Sequence, residues 1–329
     1  MFDLKRIRMA HIVISNQYNP YLNIAVENYL FSQEGLDGVV MYLWRNARTV
    51  VIGQNQNPYA ECDVERLERE GGYLMRRRTG GGAVYHDLGN LNFSFIAPVD
   101  SYDVERQLSV VQAAVGRYGL RTEVSGRNDV LCEGRKFSGN AFARGEHNRL
   151  HHGTILIRTN VEELQRYLKP KPAKLQKHGV ASVQSRIVNL SELADITAEG
   201  LIPVLEEAFE QEYGVAERMD FEQLAAQPAV ERLRREFDSQ EWKYGRWREF
   251  RVQRAAQFEW GGVELALDVD QARGVIKDVQ IASDSLMPEA IEEARTRLAG
   301  ASTSVPPAVE EGPHQHILND IIALLYEKN

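Results

Sequence analysis

Cysteine is scarce in this sequence. Cys62 and Cys132 are the only two in 329 residues, far apart and in neither a Cys-x-x-Cys pair nor a zinc-type set. A disulfide-stapled or zinc-held scaffold is therefore excluded, and a reducing cytoplasm fits. Long apolar runs are missing too: no stretch approaches the ~20 apolar residues of a membrane span. The opening "MFDLKRIRMAHIVISNQ" mixes charges into a strand-like alternation instead of building the apolar core of a signal peptide. The expectation is a soluble, cytoplasmic protein with no membrane partner. Positive charge is in deficit as well, 39 Lys and Arg against 47 Asp and Glu, a formal net charge of -8. That excludes a general nucleic-acid binder, which needs an excess of clustered basic surface.

Standard catalytic signatures are also lacking. No lysine follows the glycines as a P-loop requires, and the Rossmann fingerprint fails because its last position is Tyr85. His-Glu-x-x-His and Gly-x-Ser-x-Gly are absent. The His86-Asp87 pair is thus not part of a recognisable hydrolase dyad, and His147 and His151 do not read as a metal site.

What is present is a globular composition, 43% hydrophobic and 26% charged, long enough for two domains. "NPYLNIAVENYLFSQ" places Leu22, Ala25, Val26, Tyr29 and Leu30 at helical spacing after a proline, with Glu27 near the buried face. "GVVMYLWRNARTVVIG" and "GGAVYHDLGNLNFSFIAP" each read as two strands around a polar turn. Helical patterns follow in "VERQLSVVQAAVGRYGL", "VEELQRYLKP" and "LIPVLEEAFEQEYGV". Around "SQEWKYGRWREF" the periodicity is lost, which places a domain junction at 241/242. Beyond it, alternating runs around a Gly261-Gly262 turn, a third strand and two helices predict a small α+β unit. The fold class expected is α/β (α+β): a large mixed-sheet domain over 1–241 and a small α+β domain over 242–329.

Chemistry concentrates in "RRRTGGGAVYHDLGN". Gly80 to Gly82 let a ligand approach bare backbone N–H groups, and Arg76 to Arg78 supply guanidiniums suited to phosphate or carboxylate. Two readings stand: an anion clamp, or a glycine-rich hairpin with solvated arginines. In "GRNDVLCEGRKFSGNAFA", Lys136 lies between turn-forming glycines. Asn128 and Asp129 there are either oxygen donors for a Mg²⁺–phosphate complex or turn residues bonding their own backbone. His152, before Gly153-Thr154, is either a pocket residue or a hydrogen-bonded core histidine. The run "KPKPAKLQKHGVASVQSRIVNL" is either a solvated loop or a basic lid.

Taken together, "RRRTGGGAVYHDLGN", "GRNDV…GRKFSGNAFA…HHGTILI" and "KHGVASVQSRIVNL" resemble the lipoate–protein ligase A family in order and spacing, and "YLNIAVEN" with "LWRNARTVVIGQNQNP" matches its opening. The resemblance covers nearly the whole chain and implies an α/β catalytic domain shared with biotin ligases and octanoyltransferases, plus an accessory C-terminal domain. It implies an ATP-dependent ligase that converts lipoate and ATP, with Mg²⁺, to lipoyl-AMP and pyrophosphate. The lipoyl group then passes to a lysine of an acceptor domain, on E2 subunits of 2-oxo acid dehydrogenase complexes or on the glycine cleavage H protein.

Residue by residue, Lys136 matches the family lysine that touches the lipoyl carbonyl and the α-phosphate. Arg77 and the backbone of Gly82, Ala83, Val84 and Tyr85 match ATP-contacting positions, with Asn128 and Asp129 beside them and Asp129 the candidate metal ligand. Arg76, Gly80, Gly81 and His152 fall beside the lipoate, and Trp44 matches the residue closing the tunnel around the dithiolane. Lys177, Gly179, Ser182, Val183 and Arg186 match the segment that folds over the adenylate. Thr79 stands where the family often has Ser. A thioester-forming transferase of the same fold would instead require a nucleophilic cysteine, for which Cys132 is the nearest candidate in sequence.

Overall fold

A computed structural model describes residues 9–126, 128–169, 187–245, 253–270 and 273–326. The strands are β1 (Met9–Ile14), β2 (Gly38–Trp44), β3 (Thr49–Ile52), β4 (Tyr73–Arg76), β5 (Val84–His86), β6 (Asn90–Pro98), β7 (Thr122–Ser125), β8 (Asp129–Cys132), β9 (Arg135–Arg144), β10 (Asn148–Leu156) and β11 (Ala216–Arg218). Eight of them form one mixed sheet in the order β11-β1-β2-β6-β10-β9-β8-β7. The other three form a small sheet, β4-β3-β5.

The two strand pairs expected around polar turns exist as strands, but neither pair is a hairpin. β2 pairs with β1 and β6, while β3 pairs with β4 and β5. Likewise β5 belongs to the small sheet and β6 to the large one. Each polar turn carries the chain from one sheet to the other. Local alternation specifies a strand, but partner choice depends on which long-range surface buries its apolar face.

Helices cover both faces of the large sheet. α1 (Pro20–Phe31) starts where Asn19 Oδ1 accepts from the Tyr21 and Leu22 N–H groups, with Pro20 in the first turn where its missing N–H costs nothing. α1 and the small sheet lie on the face bearing Val40, Tyr42 and Trp44. α2 (Val104–Gly116) and α3 (Ala198–Tyr213) cover the opposite face, packing Val111, Ala114, Leu205 and Phe209 against Met41, Leu43, Phe93 and Phe95. Both faces being covered, every residue of β2 is buried.

The small unit is an antiparallel meander of β12 (Arg254–Phe258), β13 (Gly261–Asp270) and β14 (Val275–Ser283). α4 (Pro288–Leu298) and α5 (Gln315–Tyr326) pack onto it through Ile291, Leu298, Ile317 and Ile321. Two sequence expectations shift here. The tight turn is Glu259-Trp260, since Phe258 pairs with Gly261 and Gln257 with Gly262. Burying the Trp260 ring, with Nε1–H donating to Asp320, fixes that register. The junction also falls later than 241/242. Residues Gln240–Tyr244 form a helix whose Trp242 and Lys243 carbonyls accept from Arg76, so this segment belongs to the large unit.

Candidate active site

Period-two geometry builds one polar row across the sheet. Trp44 on β2 faces Asn92 on β6, Asn92 faces Thr154 on β10, the Gly139 N–H on β9 donates to Thr154 Oγ1, and Gly139 faces Asp129 on β8. All five residues line a single cavity of about 290 Å³. Five strands at ~4.8 Å spacing give a slot about 19 Å long. Its two ends differ in character.

At the Trp44 end the lining is largely apolar, with Ile24, Val51 and Met75 around the indole. Beneath it lies a buried polar relay. The indole Nε1–H donates to Ser94 Oγ at 3.0 Å, and Ser94 Oγ–H donates to Glu27 Oε1 at 2.6 Å. The same Oε1 lies 2.8 Å from His152 Nδ1, leaving His152 Nε2 to the Thr79 hydroxyl at 2.9 Å. His152 is therefore both a lining residue and a hydrogen-bonded buried histidine, which joins its two sequence readings. The hydroxyl of Thr79 is satisfied without reaching the cavity itself.

At the other end are Lys136, Asp129 and Asn128. Lys136 Nζ lies 2.6 Å from Asp129 Oδ1, with both side chains about one-third exposed. A Cβ on Gly139 would stand 2.8 Å from that Nζ, so the bare backbone is what lets the lysine lie flat over β9. Asn128 is held by a reciprocal bond: its Nδ2 donates to the Asn140 carbonyl at 3.0 Å, and Asn140 Nδ2 donates to the Asn128 carbonyl at 3.1 Å. Behind them His151 Nε2 lies 2.9 Å from Asn140 Oδ1, and burial pushes its pKa down to about 3.

The three arginines divide. Arg77 alone lines the cavity, together with Gly81, Gly82, Ala83 and Val84. Its buried guanidinium donates to the Gly80, Gly82 and Val51 carbonyls, and burial lowers its pKa to about 10. It shapes the glycine loop from within. Arg76 is not among the lining residues: it donates to the carbonyls of Gly53, Gln54, Gln56, Trp242 and Lys243, tying the junction helix to the large unit. Arg78 is partly exposed, pairs with Glu236 at 2.7 Å and lies over the Phe237 and Trp242 rings. The Tyr85 side chain turns away to donate to Glu163.

The small unit reaches the same place. Asp284 and Leu286 line the cavity, the Gly81 N–H donates to the Ser285 carbonyl at 2.9 Å, and the Ser283 N–H donates to the Asn55 carbonyl at 2.8 Å. Sequence reasoning missed Asp284, Leu286, Asn92, Ser94 and Asn140. A signal existed for two of them. "NLNFSF" carries Asn90, Asn92 and Ser94 at alternate positions of a buried strand, the pattern of a polar face turned into a site. The segment with Lys177, Gly179, Ser182, Val183 and Arg186 lies outside the described residues.

Neither cysteine lines the cavity. Both are buried, and burial pushes the Cys62 thiol up to about 12 and raises Cys132.

Residues 19–210 match the lipoyl protein ligase A/B catalytic domain, and residues 248–311 match the bacterial lipoate protein ligase C-terminus. The chain belongs to the lipoate–protein ligase family. As a member it is an ATP-dependent ligase. A lipoate-protein ligase A of Psychrobacter cryohalolentis is 38% identical over 85% of each chain. Among solved structures, P. falciparum LipL1 in complex with lipoate is similar at a TM-score of 0.81 and 27% identity, covering 95% of this chain and 98% of that one. A bipartite lipoate protein ligase of Thermoplasma acidophilum, described with its E2 lipoyl domain, gives 0.64 and 25%, covering 74% of this chain and 100% of that one. The lipoate–protein ligase fold thus extends over both units seen here.

Proposed function

We propose that this ligase activates free lipoate with ATP and passes the lipoyl group to a lysine of an acceptor domain. In the first half-reaction the lipoate carboxylate attacks the α-phosphorus, the bond to the β-phosphate oxygen breaks, and lipoyl-AMP and pyrophosphate form. In the second, the acceptor ε-amine attacks the acyl carbon, loses a proton, and AMP leaves. The observation that carries this reading is the single slot running from an apolar end at Trp44 to a cationic end at Lys136. Such a slot holds an apolar acid tail at one end and brings its carboxylate to the phosphate end. Two anions repel each other, so a fixed ammonium between them stabilises the charge developing on both. Glycine-loop N–H groups shaped by Arg77 add donors that need no reorganisation.

Mg²⁺ enters as part of the ATP substrate. Among the described residues no three His, Cys, Asp or Glu side chains gather into a metal cage. Asp129, with Asn128 beside it, is the oxygen-bearing pair at the cationic end, which suits an ion held mainly by phosphates and water. Acceptors in this reading are lipoyl domains of E2 subunits and the glycine cleavage H protein, the kind of partner named for the T. acidophilum ligase. No described helix is long and apolar enough to cross a membrane, and the cytoplasm is the proposed compartment. The small unit is read as moving between the half-reactions, because the Ser285 carbonyl now occupies a glycine-loop N–H beside the site.

The test is lipoate-dependent pyrophosphate release by Lys136→Ala. Loss of one such electrostatic contact lowers the rate by ~10²–10³. A near-normal rate would remove Lys136 from this role, and a rise in lipoate KM alone would leave it a binding residue.

A further inference from the structure

The Trp44 end of the slot is not wholly apolar. His86 meets the indole edge-on, with ring centroids 6.1 Å apart, and lines the cavity together with Asn92. Its tautomer is fixed by a chain of hydrogen bonds. The Gln17 and Arg45 carbonyls accept from Asn23 Nδ2, which orients that amide, and the same Nδ2 donates to Asn46 Oδ1 at 3.1 Å. Asn46 must then present its own Nδ2 to His86 Nδ1, at 3.2 Å. Nδ1 accepts, so the proton of the neutral ring sits on Nε2. Burial keeps the ring neutral, with Arg77 nearby acting in the same direction, and its pKa is down at about 3. Among the described residues Nε2 has no partner, and Asn92 Nδ2 has none either. Both residues are at least nine-tenths buried.

Two unsatisfied N–H donors at the closed end of an acyl slot are an anomaly for a tunnel that accepts plain hydrocarbon, because buried donors are normally paired. We propose that His86, with Asn92 beside it, is a specificity-determining residue that donates to a ring sulfur at the far end of the acid's tail. The proposal rests on the reading of the slot as a lipoate site. A sulfur of that kind is a weak acceptor, whereas a methylene in its place accepts nothing. An all-carbon tail of the same shape therefore leaves both donors unpaired in a dry end wall. The result is selection for the dithiolane over its carbocyclic equivalent, by about tenfold.

The experiment compares lipoate with 5-cyclopentylpentanoate, which keeps the ring and chain and replaces both sulfurs by methylenes. The readout is the ratio of kcat/KM values for acid-dependent pyrophosphate release. The unmodified ligase is expected to favour lipoate by about tenfold, His86→Phe to bring the ratio near one, and His86→Gln, which keeps an N–H, to restore part of it. An unchanged ratio in an active His86→Phe ligase overturns the assignment. If that variant does not fold, Asn92→Leu takes its place with the same two outcomes. Should the unmodified ligase release pyrophosphate with neither acid, the functional reading itself falls, before any variant is compared.

Discussion

Replacing Gly80 by alanine puts a methyl group where the two units meet. The new Cβ would stand 2.0 Å from the Ser285 carbonyl oxygen and 2.9 Å from the Leu286 Cα, main-chain atoms that cannot rotate aside. Gly80 itself has no positive φ, so alanine is otherwise acceptable there. Restoring an ordinary contact requires the units to separate by about 1 Å or more. That lengthens the 2.9 Å bond from the Gly81 N–H to Ser285 and the 2.8 Å bond from the Ser283 N–H to Asn55. At ~0.5–1.5 kcal/mol net for each, docking weakens by about 1–3 kcal/mol. If these amides exchange by undocking, their hydrogen exchange rises roughly 5- to 150-fold. Mass spectrometry of peptides containing Gly81 and Ser283 measures this directly. Unchanged exchange in both peptides, with an unchanged melting temperature, would refute the close contact and the interface built on it.

Two further outcomes are expected. A Cys62→Ser, Cys132→Ser double variant should still lipoylate an acceptor lysine from free lipoate with strict dependence on ATP and Mg²⁺. ATP-independent transfer from an acyl carrier, abolished by the Cys132 change, would establish a thioester mechanism instead. The pH dependence of stability follows from His86 and His151, whose folded pKa values of about 3 lie below their ordinary 6.5. Below pH 6.5 the unfolded chain binds protons at both that the folded chain refuses. Their contribution is thus full above 6.5 and is lost as pH falls towards 3, by at most ~1.4 kcal/mol per pH unit for each. Urea midpoints at pH 7.5 and 5.0 measure this, and equal midpoints would contradict the buried neutral state.

Local patterns alone determined much of this protein. Asn19-Pro20 before apolar residues at helical spacing specifies α1, because cap and period are short-range. The alternating runs specify strands for the same reason, and the glycine loop, Lys136 and Asn128-Asp129 are legible as chemistry because bare backbone and fixed charge have few other uses there. Tertiary structure alone decided which arginine borders the cavity. Arg76, Arg77 and Arg78 are adjacent in sequence, yet one staples the junction helix, one shapes the loop and one pairs at the surface. It also decided that β2 and β3 part into different sheets, which opens the slot between them. The reach of Asp284 and Leu286 into that slot is likewise a tertiary result. The physical reason is common to all three. Backbone carbonyls, apolar faces and close-approach backbone compete for partners over sequence separations of a hundred residues and more, and that competition is settled when the whole surface is buried at once.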